Sequence, residues 1–326
     1  MIKQSLKLAG WATSLLSLAA TASADVKLND NFSVGGYMVG SYQYTKTDGV
    51  PATDHFDIDA AKTLFTASFK PVTGVASFYY PGTSGSDVTV LDAYVTYDVG
   101  SGYSVTAGKF LSYLGYEAFD IPNMTQISYA APTAGSMFSI PAYHSGVRLD
   151  YSAGVNSYGL ALLDSVYSPY SIFKGDGELL HNGGLEGYYK YAGPEGLTVW
   201  AGFAYDTKGG FQPHSVLTLD LWAQYNLTKE VFIAGEVANT DAGFGRKSTS
   251  WLAELGYAPA GPVSWILRIS GDDPSDAVGA NKYIQYTVCP TYKFTDTLSV
   301  RAEYSYYDYT GGSSKSFFGI QTVFKF

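Results

Sequence analysis

The sequence predicts an all-β fold: a transmembrane antiparallel β-barrel of about sixteen strands with a long third extracellular loop. Three observations carry the prediction. Apolar and polar residues alternate with period two from residue 31 onward, as they do along a strand with one greasy face and one polar face. The chain is rich in aromatics (16 %, with 29 Tyr) and Gly (36 residues), yet only 15 % of it is charged. Tight connections alternate with longer ones, the pattern of a barrel with short turns at one membrane face and long loops at the other.

The first 24 residues stand apart. Lys3 and Lys7 precede the short apolar run "LAGWATSLLSLAA", and Ala22, Ser23 and Ala24 form a small-residue cleavage site. Residues 1–24 are therefore expected to be a signal peptide and residues 25–326 the barrel. A membrane anchor helix is the competing reading, but the apolar run is short for a span of about 20 residues. The chain carries 20 Lys and Arg against 29 Asp and Glu, a net charge of −9. That balance argues against nucleic acid as a partner. One cysteine, Cys289, excludes an intrachain disulfide scaffold.

Strands are expected over 31–44, 55–69, 74–81, 87–98, 103–110, 142–151, 157–166, 183–192, 197–206, 215–226, 231–239, 249–258, 263–271, 281–293, 298–309 and 316–326. The segment "LTVWAGFAYD" places Leu197, Val199, Ala201, Phe203 and Tyr205 on one face. In "LSVRAEYSYYDY", Leu298, Val300, Ala302 and Tyr304 face away from Ser299, Arg301, Glu303 and Ser305. The phase slips near Ala60–Lys62 and near Leu163–Asp164, where bulges are expected. Tight turns such as "AGPEG", "NLTKE" and "FTDT" hold Gly, Pro, Asn and Asp. Tyrosines near strand ends, among them Tyr44, Tyr79, Tyr97, Tyr188, Tyr304 and Tyr307, suggest two interfacial girdles. A soluble β-sandwich or solenoid would not need that aromatic excess, and a closed barrel leaves no exposed strand edge.

About sixteen strands enclose an aqueous lumen rather than a packed core. Expected wall residues of that lumen include Asp150, Glu186, Arg268, Arg301 and Glu303, with Asp92, Asp220, Glu236, Glu254 and Lys190 on the same inward face. Any one of these charges is alternatively a paired brace of the wall. The connection at 111–142 breaks the rhythm and carries apolar residues. It is expected to fold into the barrel and narrow it, with Glu117 and Asp120 facing basic wall residues such as Arg148. A surface cap or subunit contact is the alternative for this loop. The four His residues, at 55, 144, 181 and 214, show no metal-ligand spacing, and no phosphate-loop or nucleophile-elbow motif is present. His144 and Ser145 are adjacent on a strand and point to opposite faces. No cofactor is expected.

The segments "GKFLSYLGYEAFD" and "FSIPAYHSGVRLDYS" within residues 108–152 resemble the OmpL-like β-barrel porin family of diderm bacteria. "FDIDAAKTLFTASFKPVTGV" and "FFGIQTVFKF" resemble it as well. The resemblance implies an outer-membrane porin giving passive passage to ions and small hydrophilic solutes. It also implies a pore role for Lys109, Glu117, His144 and Arg148. The terminal Phe326 resembles the signal read by the outer-membrane assembly machinery. The bilayer and that machinery are the expected partners, with a homotrimer as a further expectation. A non-conducting adhesin or anchor, and an outer-membrane hydrolase, are the alternatives.

Overall fold

Sixteen strands pair with their chain neighbours, and the last pairs with the first, so the sheet closes into a barrel. The computed structural model describes residues 25–82, 87–135, 140–167, 183–207 and 214–326. The expected leader at 1–24 lies outside the described residues. A two-residue strand, β1 (Val26–Lys27), leads into the barrel strands β2 (Phe32–Thr47), β3 (Thr53–Phe69), β4 (Val72–Tyr80), β5 (Thr89–Gly100), β6 (Tyr103–Leu111), β7 (Tyr143–Ala153), β8 (Asn156–Leu163) and β9 (Gly184–Ala192). The barrel continues through β10 (Leu197–Asp206), β11 (Val216–Asn226), β12 (Val231–Asp241), β13 (Lys247–Tyr257), β14 (Val263–Pro274), β15 (Tyr283–Lys293), β16 (Leu298–Tyr309) and β17 (Ser314–Lys325). All pairings are antiparallel.

Closure runs along a continuous ladder between β17 and β2, from Lys315 opposite Thr47 to Lys325 opposite Tyr37. One further rung extends it: Gly36 N donates to Phe326 O at 2.8 Å, and Phe326 N donates to Gly36 O at 3.0 Å. Among the described residues every barrel strand pairs on both sides, as hydrocarbon requires, and residues 53–60 of β3 extend past the end of β4 with β2 as their ladder partner.

Side-chain alternation now has a direction. In β11, Leu217, Leu219 and Leu221 are exposed, whereas Val216, Thr218, Asp220 and Trp222 are buried. A soluble core would invert that order; a lipid-facing wall demands it. Phe69, Tyr97, Tyr103, Tyr158, Tyr225, Tyr257 and Tyr292 sit exposed beside the short turns and form an aromatic belt at that end. Not every strand-end tyrosine joins such a belt. Tyr307 is buried inside the barrel and Tyr188 stacks on Trp200 with ring centroids 4.2 Å apart, also inside. Neighbours on a strand point to opposite faces, so a Tyr-Tyr pair sends one ring inward.

A register shift lies where Val39 pairs with Ala60 and Gly40 with Ile58, which leaves Asp59 as the extra residue. This is the slip expected near Ala60–Lys62. The second expected bulge is absent: Leu163 pairs regularly with Gly146, and β8 simply ends there. The loss of phase at Asp164 marks the strand's end, with Asp164 N donating to Ser145 O at 3.0 Å.

Gly108 lies within β6 at φ 129°, and a Cβ there would meet Ala93 O at 2.2 Å. Gly108→Ala is expected to destabilise the barrel by about 1–3 kcal/mol, read by urea unfolding in phospholipid vesicles.

Candidate functional site

Residues 112–142 connect β6 to β7, and the described ones hold no strand, only a 3-10 turn at Ile121–Asn123 and α1 (Ala131–Ala134). Irregular backbone carries N–H and C=O groups that need partners away from water. Inside this barrel the wall's charged side chains supply them. Tyr113 N donates to Glu186 Oε2 at 3.1 Å, Gly115 N to Asp220 Oδ2 at 3.0 Å, and Tyr116 N to Glu236 Oε1 at 2.7 Å. Ile127 N and Ser128 N both donate to Glu303 Oε2, at 2.5 and 3.0 Å. The arginines serve the carbonyls. Arg301 donates to Met124 O at 3.0 Å, Gln126 O at 2.8 Å and Ile121 O at 3.3 Å, and Arg268 donates to Ser128 O at 2.9 Å.

The loop therefore folds inward and touches strands around the circumference. Its first part docks on an aromatic column: Tyr188, Trp200 and Trp222 stack nearly parallel, with centroids 4.2 and 5.5 Å apart. Tyr113 packs on Tyr188 and Tyr116 on the edge of Trp222. Such ring pairs contribute about 0.5–1.5 kcal/mol each beyond simple burial. Burial, and then the Asp150 carboxylate, holds the Tyr113 phenol well above the usual tyrosine range. Burial and Glu254 do the same for Tyr116. Both phenols remain neutral donors, Tyr113 to Asp150 at 2.8 Å and Tyr116 to Gln224 at 3.1 Å.

Glu117 and Asp120 both lie inside the barrel, but their partners differ from the expectation. Glu117 pairs with Arg268, not Arg148, and also accepts from Ala130 N at 2.7 Å. Asp120 lies 3.1 Å from Lys62 Nζ and accepts from Tyr37 Oη at 3.0 Å. Arg148 instead pairs with Asp150 at 3.2 Å and lies over the Phe110 ring at 4.7 Å. Its partner is set by its own strand, two residues away on the same face.

His144 and Lys109 sit in the wall, 0 % and 4 % exposed. Lys109 donates to Val90 O at 2.8 Å. His144 packs edge-on against Phe110, its Nε2 3.3 Å from Glu186 Oε2 but off the hydrogen-bond line, so neither ring nitrogen has a donor–acceptor partner. Glu186, Arg268, Arg301 and Glu303, expected on the lumen wall, are inward but lie under the loop rather than in open water. Lys62 escaped the sequence reading. It bridges Asp92 at 2.9 Å and Asp120. The bulge at Asp59 shifts the β3 phase, and only by stepping across it does Lys62 fall on the inward face.

Beside the loop, a cavity of about 610 Å³ remains between β2, β3, β16, β17 and residues 121–129. Among its lining side chains are Asp57, Asp59, Gln321, Tyr129, Tyr307 and Lys315. A closed, lipid-belted barrel with an inward-folded loop and a polar side cavity defines a porin-type channel.

Residues 53–258 match the family described as beta-barrel porin-2, OmpL-like, and the chain belongs to that family. No curated protein matches it in sequence. Among solved structures, an anion-selective porin from Comamonas acidovorans is 13 % identical with a TM-score of 0.71, covering 91 % of this chain and 99 % of its own. OmpF of Salmonella typhi, in complex with daunomycin, is 15 % identical with a TM-score of 0.69, covering 92 % and 100 %. The outer membrane channel DcaP of Acinetobacter baumannii is 14 % identical with a TM-score of 0.64, covering 92 % and 99 %. These likenesses establish the fold. With the family, they make the chain a porin of the bacterial outer membrane.

Removing the Arg301 guanidinium strands three loop carbonyls. Arg301→Ala is expected to loosen the loop by about 3 kcal/mol, seen as faster hydrogen exchange at residues 121–128 with the strand amides little changed.

Proposed function

We propose that the protein is a passive diffusion channel for ions and small hydrophilic solutes, narrowed by the 112–142 loop. The observation that supports this most directly is the loop's hydrogen bonding to wall charges within a closed barrel. A loop tied at that many points is a fixed constriction rather than a moving lid, and solutes pass beside it. Glu117 and Asp120 belong to that constriction together with their cations Arg268 and Lys62. His144, Arg148 and Lys109 shape the wall behind it. No catalytic step is assigned to any of these groups: His144 is sealed from solvent, and Ser145 shares no face with it.

Under the same proposal residues 1–24 direct export and are removed. Phe326 presents the final strand to the assembly machinery, and three barrels associate in the membrane. Without Lys3 and Lys7 the chain has 18 basic and 29 acidic residues, and that net charge of −11 favours cations over anions.

Planar-bilayer recording of the refolded protein tests the central claim: stepwise current in KCl is expected, and a silent barrel would point to an adhesin or anchor instead. Replacing residues 112–142 with a short Gly-Ser linker is expected to raise unit conductance severalfold. An unchanged conductance would remove the loop from the conducting path. Deleting Phe326 is expected to lower the folded fraction in the outer membrane, scored by heat-shifted mobility in SDS gels.

A further inference from the structure

The cavity beside the loop has a floor made of acceptors. Asp59, the bulged residue of β3, accepts from Ser41 Oγ at 2.7 Å, Gln43 Nε2 at 3.3 Å and Gln321 Nε2 at 2.7 Å. All three donors are uncharged. Among the described residues, neither Asp59 nor its neighbour Asp57 pairs with a lysine, arginine or histidine. Asp57 stands opposite Ser41 across β2 and β3, on the inward face, and is exposed.

A second observation points the same way. Gln321 is 2 % exposed and lines the cavity, its amide nitrogen is committed to Asp59, and its Oε1 has no partner. A buried carbonyl acceptor left open is costly unless something donates to it. The lining around it holds the carboxylates of Asp57 and Asp59, with Gln43 and His55 further along β2 and β3. The complementary group is thus a donor, and a positively charged one.

Aromatic rings complete the lining: Tyr129 and Tyr307 flank the space, joined by Phe317. Ring faces attract ammonium groups, adding a preference for an organic cation over a hydrated metal ion. Lys315, also on the lining, already rests 4.0 Å from the Tyr307 ring centroid. It pairs with Thr47, whereas Gln321 pairs with Ser41. Six residues of strand separate the Cα atoms of Lys315 and Gln321 by about 20 Å.

We propose that this cavity recognises small organic ammonium solutes, with Asp57 and Asp59 holding the charge and Gln321 Oε1 accepting a further N–H. The assignment rests on the diffusion-channel reading and names the solute class that lingers in the channel.

The test uses the full-length barrel in a planar bilayer in KCl, with the diamine cadaverine as probe and pentanediol as its uncharged counterpart. Cadaverine is expected to block the current and pentanediol not. Asp59→Asn, close to isosteric, is expected to raise the half-blocking concentration roughly tenfold, and Asp57→Asn by a smaller factor. Gel mobility shows that each variant is folded. Should Asp59→Asn misfold, Asp57→Asn carries the test, since the Asp57 side chain braces no other strand. Equal block by pentanediol, or unchanged block in the folded variants, overturns the site while leaving the channel intact. If the wild-type barrel passes no KCl current, the channel reading falls separately. Calorimetric titration of cadaverine into the detergent-folded barrel then decides: binding that Asp59→Asn or Asp57→Asn weakens supports the site, and no binding refutes it.

Discussion

An irregular stretch of backbone packed against the inner wall of a membrane barrel needs protein partners for its hydrogen-bonding groups wherever it is covered from water, and this constraint organises the molecule. The sheet satisfies its own backbone by closing on itself. The loop has no strand to pair with, so inward carboxylates take its N–H groups and inward arginines take its carbonyls. Buried charge is ordinarily expensive. Here Glu303 takes two loop N–H groups, Arg301 takes three loop carbonyls and Arg268 faces Glu117 as well as a loop carbonyl, and the loop in turn covers them from water. The low charge content of the chain and the concentration of charge on one face of each strand have a common origin. Charges are excluded from the lipid side and required under the loop.

This division also sets where selectivity resides. Charges bound to the loop, such as Glu303 and Arg301, are consumed in holding it and offer little to a passing solute. Two charges that the loop leaves unpaired, Asp57 and Asp59, line the cavity beside it. A channel's preference is then decided by what its constriction leaves uncovered rather than by the sum of its inward charges. Barrels only 13–15 % identical share the architecture, because alternation and closure need residue classes, whereas the uncovered set needs particular residues.

Almost the whole strand framework was legible, because period two is imposed residue by residue and survives any choice of apolar or polar side chain. The inward fold of the loop was legible too: apolar residues such as Leu114, Phe119 and Ile121 have no place in a solvated loop. The partners were not. Glu117 finds Arg268 on β14 instead of Arg148 because the loop crosses the barrel before turning back, a path that sequence spacing does not encode. Lys62 was hidden by a single extra residue at Asp59, which reverses the apparent facing of the β3 residues beyond it. Tyr188 and Tyr307 look like belt residues by position and differ only in the parity of their place on the strand.

The reach of the loop bears on how the closing seam holds. β2 and β17 meet there, joining regions some of whose paired residues lie far apart in the chain. The loop grips Tyr37 and Lys62 on one side of that seam and Arg301 and Glu303 on the other. It works as a clasp across the join as well as a narrowing of the passage. Prising the two halves of the ladder apart would first have to tear the clasp from both banks, so permeability and resistance to unzipping are tied to one segment and evolve together.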